Sequence, residues 1–79
     1  MNMQLNSYRV KDLYLAAYLY CEGLELGEVE KVGKVCWFNF VNKNKCEQLI
    51  NLYWKNQAVS KIKSYTDAIR TLKDLIYSS

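Results

Sequence analysis

Residues 34–40 read Lys34-Val35-Cys36-Trp37-Phe38-Asn39-Phe40, and the alternation in this stretch decides the fold. In a strand successive side chains point to opposite sides, so Cys36, Phe38 and Phe40 line one face while Val35, Trp37 and Asn39 line the other. One face belongs to the core; Trp37, on the other, needs a cover of its own. Upstream, Gly33 supplies the positive φ of a tight turn, so residues 24–32 and 34–41 are expected to form an antiparallel hairpin. Leu24 and Leu26 share a face, Val29 breaks the parity, and a bulge near Gly27 restores it.

Helices are expected on both sides of the hairpin. Residues 11–22 are rich in Leu and Ala, lack strand alternation and stop at Gly23. Leu13, Ala16, Ala17 and Tyr20 fall on one side of this first helix, and Tyr14, Leu15, Tyr18 and Leu19 fill the rest, so it is apolar all round and expected to be buried all round. After the hairpin, Asn42 is placed as the N-cap of a helix over 43–56, with Cys46, Leu49, Ile50, Tyr53 and Trp54 at the spacing of one face. Ser60 is placed as the cap of a third helix over 61–77, with Ile62, Tyr65, Ala68, Ile69, Leu72, Leu75 and Ile76 as its buried side. The expected architecture is a small single α+β domain of order α-β-β-α-α, an antiparallel hairpin packed against helices. Residues 1–8 are read as a loose arm and 9–77 as the globular part. Leu13, Ala17, Phe38, Phe40, Leu49, Tyr53, Ile69 and Leu72 are the expected core.

The segments KDLYLAAYL, GKVCWFNF and IRTLKDLIY, in this order and spacing, resemble a family of small proteins from bacteria and their mobile elements that is catalogued only as a domain of unknown function. The resemblance covers roughly residues 8–77. It implies the same α-β-β-α-α order and carries no catalytic residues over. It also implies a phage or mobile-element setting.

Composition narrows the chemistry. The chain has 79 residues, no histidine and three cysteines, Cys21, Cys36 and Cys46. Three is an odd number without CxxC spacing, and each thiol sits in an apolar stretch, which is the pattern of reduced core cysteines. Without histidine, Ser-His and Cys-His catalysis and an ordinary zinc site lack their residues. No cofactor or metal is expected, and the chain is expected to be non-catalytic. Glu28 and Glu30, two apart on one strand, suit edge protection better than paired-carboxylate chemistry. The N-terminus lacks the basic and apolar regions of a secretory signal, and the longest apolar run, residues 13–21, falls far short of the roughly 20 residues a membrane span needs. A cytoplasmic protein without membrane contact is expected.

A chain this short hides only about 60% of its unfolded surface, and a core of this size rarely supplies more than about 3–5 kcal/mol. Yet 51% of the residues are hydrophobic. An all-apolar helix and a two-stranded hairpin with apolar residues on both sides are both resolved if two copies meet. The expectation is therefore a homodimer with Tyr14, Tyr18, Val35 and Trp37 at the interface, acting as a protein-protein interaction or regulatory module. The dimer is expected either to extend the hairpins into a four-stranded sheet or to pack the first helix against its mate. A second subunit is the expected cover for Trp37.

Two other readings stay open. The net charge of +3 divides into −3 over residues 1–30 and +6 over residues 31–79. Lys55, Lys61, Lys63, Arg70 and Lys73 therefore form a candidate nucleic-acid contact along the basic half. Trp37 with Tyr14, Tyr18 and Tyr20 has the residue types of a base-stacking platform. The other alternative is a small inhibitor or adaptor docking on a host or defence protein.

Overall fold

A computed structural model describes residues 6–78. Its elements are β1 (Ser7–Val10), α1 (Leu13–Cys21), β2 (Leu26–Val32), β3 (Val35–Val41), α2 (Lys43–Trp54) and α3 (Ile62–Tyr77). The α-β-β-α-α order and the α+β class hold, with a strand added in front. Ser7 and Tyr8, expected in a loose arm, instead begin β1. Residues 1–5 of that arm lie outside the described residues.

The sheet has three antiparallel strands in the order β1-β3-β2, so the KVCWFNF stretch becomes its central strand. β2 and β3 meet at the Gly33 turn, where Gly33 has φ 63 and Val32 faces Val35. The bulge falls where strand parity demands it. Leu26 pairs with Phe40 and Val29 with Phe38, with the register shift between them. Gly27 sits in that shift, and a Cβ there would lie 3.3 Å from the Asn39 carbonyl oxygen, which explains glycine at this point of close approach. On the other side of β3, Tyr8 faces Phe40 and Val10 faces Phe38.

All three helices lie on the Phe38 and Phe40 side. Those two rings are fully buried among Val10, Leu15, Ala16, Ala17, Tyr18, Leu19, Cys46, Leu49, Ala68 and Leu72. Leu13, Tyr53 and Ile69 of the expected core pack against this cluster while remaining partly exposed. Asp12 caps α1, its Oδ1 accepting hydrogen bonds from the Tyr14 and Leu15 amides. The helix stops where Gly23 and Leu24 donate back to the Tyr20 and Leu19 carbonyls. Between these ends, residues 15–19 are all buried. A helix without a polar face is accommodated within one chain because the sheet, α2 and α3 surround it, α3 most extensively.

This arrangement bears on both expected dimer geometries. α3 and α2 cover much of the surface of α1, leaving Tyr14 and Tyr20 exposed. β1 fills the free edge of β3, leaving only β2 as an open hairpin edge. That edge is broken by the bulge and carries Glu28, Glu30 and Lys31, a pattern that discourages strand addition.

Candidate functional site: an aromatic cleft between the second and third helices

α2 and α3 both lean on α1, and their main contacts are with it rather than with each other. The gap between the C-terminal end of α2 and the N-terminal end of α3 is a cleft of about 550 Å³, lined by Tyr18, Tyr53, Trp54, Asn56, Ala58, Ser60, Ile62 and Tyr65. Its geometry follows from how the two helix ends are built. Asn42 caps α2 as expected, accepting from the Lys45 amide. At the other end Asn56 adopts φ 60, and the Asn56 and Gln57 amides donate to the Tyr53 and Leu52 carbonyls. This closure turns the chain sharply away and leaves Trp54 at the lip. α3 starts at Lys61 without a side-chain cap. Ser60, expected in that role, instead has its Oγ 2.8 Å from the Cys21 Sγ.

The floor and walls are aromatic. Tyr18, buried on α1, lies 5.9 Å from Tyr53 between ring centroids, and Tyr53 meets Trp54 edge to face at 5.1 Å. Across the gap the Tyr65 hydroxyl donates to the Tyr14 carbonyl oxygen at 3.0 Å, tying the start of α3 to α1. Burial raises the phenol pKa of Tyr18, with Glu22 adding to it, and that of Tyr53, with Asp12 adding to it. Tyr65 is raised in the same direction, again chiefly by burial. All three therefore present neutral hydroxyls at physiological pH.

The lips carry a large excess of exposed apolar surface. Trp54 is 66% exposed and Ile62 85%, and Val59, in the connection between the helices but outside the cleft lining, 84%. Periodicity assigned Trp54 and Ile62 to the core. Their neighbours Tyr53 and Tyr65 still reach α1, at Tyr18 and Tyr14, while Trp54 and Ile62 are left to solvent, so the apolar stripe outruns its partner. Leu75, also expected on the buried side of α3, is 39% exposed near the other end of that helix.

The residues proposed from sequence do not converge. Tyr18 is buried at the floor of the cleft. Tyr14 is exposed on the helical side, whereas Val35 and Trp37 lie on the outer sheet face. Trp37 is half-buried, with partial cover from within the chain. The Arg9 guanidinium stacks 4.4 Å from the indole centroid, and the Lys11 ammonium lies 5.8 Å away. No single base-stacking platform of Trp37, Tyr14, Tyr18 and Tyr20 exists, since Trp37 and the tyrosines lie in different layers. Among the basic residues, Lys63 and Arg70 both pair with Asp67, at 3.2 and 3.6 Å. That strip of α3 is therefore mixed in sign. Lys55 and Lys61 flank the cleft-lining residues, and Lys73 lies two turns or more further along α3. The Glu30 carboxylate accepts from Asn39 Nδ2 at 2.9 Å, a sheet-surface contact rather than half of a carboxylate pair.

Comparison with known proteins settles the family. The model of a domain of unknown function, DUF5659, matches residues 5–78. The chain belongs to the DUF5659 family. No curated protein and no solved structure gives a significant match. Among the described residues of this DUF5659 chain, no cluster of His, Cys, Asp and Glu could hold a metal ion, and no helix is long and apolar enough to cross a membrane.

Proposed function

We propose that this DUF5659 chain is a non-catalytic protein-interaction module of the cytoplasm, and that the cleft between α2 and α3 is where a partner protein docks. The observation that carries the reading is the lip: two large apolar side chains, Trp54 and Ile62, are exposed by 66% or more on one concave aromatic surface. Exposed apolar residues gathered at a concavity mark a docking site, whereas scattered ones do not. The occupant is a short segment with a large apolar anchor and acidic flanks. The anchor enters against Tyr53, Trp54 and Tyr65, and the acids meet Lys55 and Lys61 at the rim. Tyrosine and tryptophan supply such contact area at small entropic cost. The three unpaired thiols suit a reducing compartment. A regulatory, inhibitor or adaptor role in a phage or mobile-element setting is compatible with such a groove.

A random peptide library panned against the folded chain tests this. Enrichment is expected for peptides that combine aromatic or long aliphatic residues with Asp or Glu. Titration of these into a Trp37→Phe background should shift Trp54 emission saturably, and Ile62→Asp should weaken binding at least about tenfold. No enrichment over the Ile62→Asp control would overturn the proposal. Binding of a single-stranded oligonucleotide instead, lost steeply with salt, would favour the basic-half reading.

A further inference from the structure

The outer sheet face presents a different surface. An antiparallel sheet covered on one side normally turns polar residues to water on the other. Here the outward row of β3 is Val35, Trp37, Asn39 and Val41, three of the four apolar. The register sets Val32 opposite Val35, Glu30 opposite Trp37 and Arg9 opposite Asn39. Read across the order β1-β3-β2, the face has a cationic edge, an apolar middle and an acidic edge. Arg9 and Lys11 lie over Trp37 from the β1 side, and Glu30 is held by Asn39 on the β2 side. Beyond the cations, Val32 and Val35 remain 57% and 39% exposed.

We infer that this face is a self-association surface on which a second copy of the chain packs sheet on sheet, about a two-fold axis parallel to β3. Such an axis exchanges the two edges. It lays the β1 edge of one copy over the β2 edge of the other, so Arg9 and Lys11 meet Glu30 of the partner subunit twice over. Val35, on the central strand, closes on its equivalent near the axis beside the Arg9-covered Trp37, and Val32 on β2 packs towards the β1 side of the other copy. An axis running across the strands would set β1 on β1, cation against cation, and is disfavoured. The parallel axis also keeps the strand directions within the angle of aligned sheet packing. Opposite charges on opposite edges of one face are what self-pairing requires of an isologous contact. Trp37 and Arg9 are residue types that dominate interface energies.

Size sets the strength. Three strands at about 4.8 Å spacing and about seven residues at 3.3 Å rise give a face of a few hundred Å² per copy. That is the range of transient contacts, so association belongs in the high-micromolar range. The contact is independent of the α2–α3 cleft.

Sedimentation of the full chain from about 10 μM to about 1 mM tests the inference across that range. The weight-average mass should climb from 9.3 kDa towards twice that value, and added salt should oppose the rise. Arg9→Glu and Glu30→Arg should each remain monomeric alone. Mixed in equal amounts they should associate again, because each new acid then faces a new base across the axis. Val35→Asp, which leaves the Arg9 stack untouched, should also be monomeric, and circular dichroism checks that every variant is folded. A native chain that stays at its monomer mass throughout would overturn the inference. So would single charge reversals that still associate, or a mixture of the two that does not. Association lost in Ile62→Asp but kept in Val35→Asp would move the contact to the cleft and overturn it equally.

Discussion

α1 and the α2–α3 junction are built from the same kinds of residue and meet opposite fates. α1 is apolar around its whole circumference and is buried over five consecutive residues. The junction presents Trp54, Val59 and Ile62, as apolar as anything in α1, almost entirely to solvent. The difference is the number of neighbours. α1 lies between the sheet on one side and α3 on the other, with α2 alongside, whereas the ends of α2 and α3 overhang it. Hydrophobic periodicity identifies which residues could be buried, and only the length and placement of the covering element decides which of them are. An apolar stripe that outruns its cover becomes a surface with something left to bind.

Leu19, at the centre of α1, has no exposed surface. Leu19→Ala should cost about 2–5 kcal/mol in denaturant unfolding, a large share of the stability of so small a domain. A loss below about 0.5 kcal/mol, the range typical of surface sites, would show that α1 is not the enclosed layer described above.

A second measurement spans both regions, because Tyr18 belongs to α1 and Tyr53 and Tyr65 to the cleft. The folded state raises the pKa of all three phenols, first through burial, and burial raises that of the Cys46 thiol as well. A raised pKa means that the folded chain holds the proton longer than the unfolded one. The associated stability is then fully present below the unfolded values, about 8.5 for cysteine and 10 for tyrosine, and is lost as pH rises through the folded values. Thermal melts should therefore show a midpoint indifferent to these groups at neutral pH and falling in the alkaline range, starting near pH 9. Tyr53→Phe should soften the alkaline fall, and an unchanged profile would mean that its hydroxyl is effectively solvated.

The smallest effect is expected at the lip. Ile62→Ala should change stability by no more than about 0.5 kcal/mol, since the side chain is 85% exposed. A loss approaching that of Leu19→Ala would mean that Ile62 packs in solution and that the cleft is narrower than described.

Much of the fold was legible because local chemistry and global packing agree. The alternation of residues 34–40, the turn at Gly33, the bulge at Gly27, the Asn42 cap and the stop near Asn56 each have a cause within a few residues. β1 was not legible. Ser7-Tyr8-Arg9-Val10 is short and polar at alternate positions, and it becomes a strand only because β3 offers a free edge and Trp37 a ring for Arg9 to cover. The partial cover that Arg9 and Lys11 give Trp37 was not legible because they lie far from it in sequence. The cleft was hidden for a related reason. Trp54 and Ile62 obey helical periodicity without fault, and only the three-dimensional ends of α2 and α3 reveal that nothing faces them.

The position of β1 has a consequence for the order in which the fold closes. β2 and β3 are joined by a two-residue turn and can pair on the microsecond scale of an isolated hairpin. β1 must instead cross the sequence occupied by α1 and the whole hairpin before Val10 reaches Phe38, a closure whose entropy is not returned until β3 is in place. The N-terminal strand should accordingly dock late and open first. In native-state hydrogen exchange the amides it directs at β3, those of Tyr8 and Val10, should exchange ahead of those shared by β2 and β3. Each such opening would transiently strip Trp37 of its cationic cover while the helical core stays shut.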